Sequence, residues 1–173
     1  MLRKIRSFLG GVVRGYNHKK FWKRRLYLSS DGGNFIKRCY YFLWITRVEG
    51  RNNGSMGTGL RGGAQFAGVP TLPHGISGIY IAQGCHVGKG VTIFQNVTLG
   101  RSKGLCPVIG DNCVIGANAV VIGGIRIGNN VRIGAGCTVS TDIPDHMTVV
   151  SSPPQIFRRT PDYGPECPLK PYI

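Results

Sequence analysis

Residues 109–138 read IGDNCV-IGANAV-VIGGIR-IGNNVR-IGAGCT, successive hexads that each open on an aliphatic residue: Ile109, Ile115, Val121, Ile127 and Ile133. Val139 continues the register, and Ile81, Val87, Ile93 and Leu99 carry it upstream. Glycine usually comes next (Gly88, Gly100, Gly110, Gly116, Gly128, Gly134). Four residues after the aliphatic stands a second small or apolar side chain: Cys85, Val91, Val97, Cys113, Ala119, Ile125, Val131, Cys137 and Ile143. A period of six fits neither a 3.6-residue helix nor simple hairpin strands. It fits a three-sided coil, in which each hexad supplies one short strand and one corner. The aliphatic fills the interior and the small residue packs beside it. Asp111-Asn112 and Gly128-Asn129-Asn130 suit corners, where the backbone visits positive φ.

The register breaks once within this run. Leu99 to Ile109 spans ten residues rather than six, so four extra residues loop out within 101–108. Such an insertion costs little closure entropy, and loops on rigid scaffolds tend to carry function. Cys85, Cys113 and Cys137 occupy the inner slot and read as core residues, not nucleophiles. The six cysteines show no CxxC or Cys/His zinc spacing, which suits reduced thiols in the cytoplasm. No signal peptide is evident, and the apolar run Cys39–Ile45 is too short to cross a bilayer.

Charge is unevenly placed. Of 22 Lys and Arg residues, 14 lie within residues 1–61, against only Asp31 and Glu49, and the whole chain carries +15. Such a field implies an anionic partner. The chain divides into a basic, partly helical segment (1–55), the coil (56–157) and an extended tail (158–173) holding Pro161, Pro165, Pro168 and Pro171. Leu2, Ile5, Leu9, Val12, Val13 and Tyr16 fall at helical spacing, although Gly10-Gly11 weakens a helix there. His18 to Arg25 interleaves Phe21 and Trp22 with Lys and Arg. Two readings stand: a peripheral element on an anionic membrane surface, or a helix packed on the coil or on a neighbouring subunit. No nucleic-acid-binding module accompanies the charge, which argues against that partner.

Several stretches resemble the serine acetyltransferase branch of hexapeptide-repeat acyltransferases. They are His74-Gly75-Ile76-Ser77-Gly78-Ile79, Thr92 to Gly100 (including Gln95-Asn96-Val97-Thr98-Leu99-Gly100), Pro107 to Asn112, Ile115 to Ala119, and Val150 to Ile156. The similarity covers roughly residues 60–157 and comes closest to short O-acetyltransferases associated with polysaccharide gene clusters. It implies an all-β left-handed parallel β-helix, a homotrimer, and acetyl-CoA as acetyl donor in the groove between neighbouring coils. The family's catalytic histidine falls on His74, whose imidazole would act as general base on the acceptor hydroxyl. Contacts to acetyl-CoA map onto Gly100, Gly116, Ala117 and Ala135, with phosphate pairing at Arg158 and Arg159. Arg126 and Arg132 also face outward by register.

Departures from the pattern bear on the acceptor. The Asp that precedes the family's histidine is Pro73, and the Arg-His pair of the extra loop is Leu105-Cys106. No acidic residue lies between Glu49 and Asp111 to orient His74. A pocket of Pro73, Gln95, Leu105 and Cys106 better suits a neutral hydroxyl, such as a sugar's, than zwitterionic serine. The expected reaction is therefore O-acetylation of a sugar or polysaccharide precursor, at the inner face of the membrane if the basic segment docks there. The alternatives are serine O-acetylation in cysteine biosynthesis and a non-catalytic scaffold. No metal is expected, because His18, His74, His86 and His146 offer no three-histidine spacing.

Overall fold

The computed structural model describes residues 15–30, 32–60, 62–154, 156–158 and 170–171. The six-residue register closes into a parallel, three-walled coil of about five turns. The first wall stacks Tyr80–Ile81, Thr98–Gly100, Val120–Ile122 and Thr138–Val139. The second stacks Gln65–Phe66, His86–Val87, Val108–Ile109 and Arg126–Ile127, and the third Thr92–Ile93, Val114–Ile115, Arg132–Ile133 and Thr148–Val149. Like residues meet along each wall: Ile81 over Leu99 over Val121 over Val139, and Ile93 over Ile115 over Ile133. These columns and the inner slots, including Cys85, Cys113 and Cys137, are buried; Ile125 and Ile143 are half-buried.

Corners follow the backbone rule that the Asn and Gly positions suggested. Between second and third walls, positive φ recurs at Gly90, Asn112, Asn130 and His146; between third and first, at Gly78, Asn96, Asn118 and Gly136. Asx side chains reinforce the second-to-third corner. Asp111 accepts from the Lys89 N–H at 2.7 Å, Asn129 from the Asp111 N–H at 2.8 Å, and Asp145 from the Asn129 N–H at 2.8 Å. These bonds, donated by the Asn129 backbone and then its side chain, hold the Asp145 carboxyl below the usual carboxylate range. Gly88, Gly110 and Gly128 stack here because a Cβ on Gly110 would lie 2.6 Å from the Gly128 carbonyl oxygen.

Two helices close the coil's N-terminal end. α1 (His18–Ser29) and α2 (Phe35–Arg51) begin at Asn17 and Asn34, whose side chains accept from the N–H groups of Lys20 and Lys37. Phe21, Trp22 and Leu28 of α1 join Ile45 and Val48 of α2 in one buried cluster with the coil, and Trp22 meets Phe66 edge-on at 4.9 Å. The interleaved aromatics of α1 are thus interior, because an open coil end exposes a ring of apolar side chains that something must cover. Arg25 lies buried among them. Its Nη2 donates to the carbonyls of Ala64 (2.8 Å) and Met56 (3.1 Å) and, at 3.4 Å, to that of Gly57, which also accepts from the Ala64 N–H. Glu49 is buried beside it, accepting from the Met56 N–H at 3.0 Å and the Thr58 hydroxyl at 2.7 Å. Burial pushes its carboxyl upward; the bonds from Thr58 and Met56 and the Arg25 charge oppose that shift.

Residues 2–14 of the proposed helix and most of the proline-rich tail lie outside the described residues, and Tyr16, at that helix's proposed end, is not helical. Of that tail, Phe157–Arg158 pairs antiparallel with Lys170–Pro171. Among the described residues, no helix is long and apolar enough to cross a membrane.

Candidate functional site

The third-to-first corner carries the histidine. There, Leu72 to Ile81 takes nine residues where later turns take six, and the parallel pairing of Thr71 with Thr92 aligns Leu72 with Ile93. The three surplus residues are Pro73-His74-Gly75, which bulge out of the corner. A bulge re-aims a side chain that the regular turn would leave in the ladder. His74 and Pro73 are accordingly exposed, and the His74 ring sits 6.1 Å from the Phe94 ring one turn below. The bulge is held from above: the Gly75 N–H donates to the Leu72 carbonyl, the Gly78 N–H to the Asn52 carbonyl, and Tyr16 covers Gly75.

Below His74 the same corner descends through Phe94-Gln95-Asn96, Gly116-Ala117-Asn118 and Gly134-Ala135-Gly136. It is linked by the Asn118 N–H to the Gln95 carbonyl (3.1 Å) and the Gly136 N–H to the Ala117 carbonyl (2.8 Å). Gln95 Oε1 is buried and has no hydrogen-bond partner among the described residues, an acceptor left open beside the histidine corner. Ala117 and Ala135 line this edge with nothing larger than a methyl group, and no atom crowds Gly136. Gly116 has a purely local reason to be glycine, since a Cβ there would lie 2.6 Å from the Ala135 nitrogen.

The inserted loop lies at the other end of the first wall, at the first-to-second corner. It is a tight hairpin: Ser102 and Leu105 exchange both backbone bonds at 2.9 Å around Lys103-Gly104, both at positive φ. That geometry matches the twist of its two arms. Leu105 packs over Gly124, where a Cβ would lie 2.7 Å from its own, so the Gly123-Gly124 pair makes room for the insertion. Arg101 donates to the Gln83 carbonyl at 2.6 Å and to Cys106 Sγ at 3.4 Å, and the Cys106 thiol contacts the same carbonyl at 3.2 Å. Beneath it, burial first and then the neighbouring Cys106 push the Cys85 thiol up to about 12, so it stays protonated and inert.

Sequence reading missed a second insertion at this corner. The pairing of Ser55 with Tyr80 aligns Met56 with Ile81, and Met56 to Phe66 again takes ten residues, folded as the hairpin Thr58–Gly59/Gly62–Gly63. Its glycine-rich sequence lacks the hexad signature, so only the wall register reveals it. Gln83 ties the two hairpins together, its side-chain amide donating to the Thr58 carbonyl at 3.2 Å.

The chain thus brings Pro73, His74, Gln95, Gly116, Ala117 and Ala135 to one edge, and leaves Gly100, Leu105 and Cys106 at the next corner round. The Arg158 side chain and Arg159 lie outside the described residues. Tyr16 and Phe94, which hold the histidine bulge, were not singled out from sequence. Arg126, Arg132 and His86 are exposed on the outer walls, and among the described residues no three His, Cys, Asp or Glu side chains cluster.

Residues 106–141 match the family model for the bacterial transferase hexapeptide (six repeats). No curated protein matches the chain. Solved structures do. Serine acetyltransferase from Neisseria gonorrhoeae is 32% identical, with a TM-score of 0.59 over 79% of this chain and 49% of that one. Isoform 3 from Entamoeba histolytica, in complex with cysteine, is 28% identical with a TM-score of 0.56, over 73% and 45%. The soybean enzyme complexed with serine is 27% identical with a TM-score of 0.55, over 68% and 48%. The chain spans about half the length of these proteins. It is a hexapeptide-repeat protein whose coil, of the kind that fits a left-handed β-helix, is similar to that of the serine acetyltransferases.

Proposed function

We propose that this chain is an acetyl-CoA-dependent O-acetyltransferase that modifies a hydroxyl of a sugar or polysaccharide precursor. The observation that carries this reading is the Pro73-His74-Gly75 bulge, which presents an exposed imidazole at the head of an edge lined by Gln95, Ala117 and Ala135. The neutral imidazole takes the acceptor's hydroxyl proton as that oxygen attacks the thioester carbonyl. When the tetrahedral adduct collapses, the carbon–sulfur bond breaks and His74 returns the proton to the CoA thiolate. Gln95 Oε1 accepts from a substrate hydroxyl. The narrow Ala117–Ala135 edge admits the pantetheine arm, and Arg158 and Arg159 pair with the nucleotide phosphates.

A homotrimer accounts for the separation of the two corners. With three coils side by side, the Leu105-Cys106 hairpin of one copy faces the His74 edge of the next, and Gly100 joins the same groove. Leu105 and Cys106, at the positions of the serine acetyltransferases' Arg-His pair, support an uncharged acceptor, because serine would lose the partners those polar side chains supply. The charge of the N-terminal third supports contact with an anionic membrane surface, which places the acceptor on a lipid carrier at the inner face of the membrane.

A second reading, serine O-acetylation, is favoured by the likeness to serine acetyltransferases, one of them complexed with serine. CoA release separates the two when measured with serine and then with a panel of glycans. Turnover on glycans and not on serine supports the first reading, and serine turnover alone supports the second. His74→Asn should cost about 10²–10⁴-fold in turnover without changing oligomeric state. Turnover within a few-fold of the parent protein refutes the assignment of His74.

A further inference from the structure

We propose that the outer face of α2 is a docking surface for anionic phospholipid membranes. Ile36, Tyr40 and Leu43 recur at intervals of four and three residues, so they form one stripe along the helix. They are 77%, 57% and 66% exposed, and Phe35 beside them is 58% exposed. The opposite side of α2, carrying Ile45 and Val48, is the side that covers the coil. The stripe is therefore surplus to the fold, and this many large apolar side chains in one exposed row mark an interaction surface.

Its surroundings select the occupant. Lys20 and Arg24 of α1 and Lys37 of α2 are held beside the stripe on aromatic faces: Arg24 lies 4.0 Å from the Trp44 ring centroid and also over Tyr40 and Tyr41, Lys20 lies 5.7 Å from Trp44, and Lys37 4.9 Å from Tyr27. The only acidic side chain of the described residues before Asp111 is Glu49, and it faces the coil. An apolar row with aromatic rings and ordered cations, free of exposed carboxylates among the described residues, complements an anionic headgroup layer over hydrocarbon. A second copy of this face would bring like charges together, which disfavours self-association through it.

The sequence left the segment with Phe21 and Trp22 open to this contact or to packing on the coil, and the structure uses both side chains in the core. Docking through α2 sets the membrane against the capped end of the coil. His74 lies on the first turn beneath that cap, tied to it by Tyr16 and by the Asn52 carbonyl. The inference deepens the anionic-surface contact proposed above and is independent of the transfer chemistry.

Flotation of the full chain with phosphatidylcholine vesicles, with and without phosphatidylglycerol, tests it with no acetyl-CoA or acceptor present, so failed docking and failed catalysis remain distinct results. Binding is expected only to the phosphatidylglycerol vesicles. The double variant Ile36→Ser, Leu43→Ser should lower partitioning about tenfold or more at physiological salt while its thermal unfolding stays unchanged, since both side chains are exposed. Lys37→Glu should weaken binding and flatten its salt dependence. Wild-type partitioning by the double variant overturns the proposal, as does a wild-type chain that ignores anionic vesicles. It is equally overturned if sedimentation shows an oligomer that the double variant dissolves without any vesicle binding by the parent.

Discussion

Replacing Arg25 by Met probes how the coil is closed. The parent guanidinium makes two well-formed bonds, at 2.8 and 3.1 Å, to the carbonyls of Ala64 and Met56, and a longer one to Gly57. Charge-assisted bonds contribute about 1.5–3 kcal/mol each, so the two good ones supply roughly 3–6 kcal/mol. Burying the cation costs several kcal/mol against this, and burial accordingly pulls the Arg25 pKa down, with Glu49 opposing. Met removes that desolvation cost but leaves the Ala64 and Met56 carbonyls without that donor and Glu49 without its compensating charge. The balance is a loss of about 2–4 kcal/mol, or a Tm lowered by about 5–12 °C for a chain of this size. Arg25→Lys should recover only part of it, since an ammonium does not reproduce the planar fork that reaches adjacent carbonyls. Differential scanning calorimetry gives the Tm values. Amide exchange should show the damage reaching the Pro73-His74-Gly75 bulge, which hangs from the cap through Asn52 and Tyr16. A Tm for Arg25→Met within about 2 °C of the parent would refute the capping argument.

Ala135→Trp should weaken acetyl-CoA binding about tenfold or more by filling the edge below His74, as read by isothermal titration; unchanged affinity would move the donor site elsewhere. Gly110→Ala should destabilise by about 1–3 kcal/mol, because its Cβ meets the Gly128 backbone. Gly50→Ala, in α2 with nothing within 4 Å, should stabilise by up to about 1 kcal/mol. Urea unfolding of the pair checks both signs. Asp145 carries a pH dependence. Its folded pKa lies below the unfolded one, so its stabilising contribution is complete above the ordinary carboxylate range and is lost as pH falls through the depressed folded value. The Tm gap between the parent and Asp145→Asn should therefore hold at neutral pH and close only as pH falls from the ordinary carboxylate range through that depressed value, and a constant gap would contradict the ladder's role.

Much of the coil was legible because its determinants are local and periodic. A buried aliphatic every six residues leaves the chain one way to hide them all, and Cys85, Cys113 and Cys137 could be assigned to the core by register alone. Asn112 and Asn130 announced their positive φ for the same local reason. The basic segment was different. Phe21, Trp22 and Arg25 look alike in sequence whether they face lipid or a coil, since helical periodicity says which side chains share a face and not what that face meets. The second hairpin at Thr58–Gly63 was silent for want of an aliphatic landmark, and the function of Gly123-Gly124 appears only when Leu105 is seen lying over them.

The site divides along the same line. Sequence by itself determined the repeat and the walls, because those depend on residue type and spacing, and His74 was singled out by the resemblance to the serine acetyltransferases. Tertiary structure alone decided that His74 stands on a three-residue bulge over Phe94, that Gln95, Ala117 and Ala135 share its edge, and that Leu105 and Cys106 sit round the next corner. The physical reason is that a coil turns one dimension into three. Residues about twenty positions apart become neighbours along an edge, whereas a loop fewer than ten residues from Gln95 lies across a full wall from it.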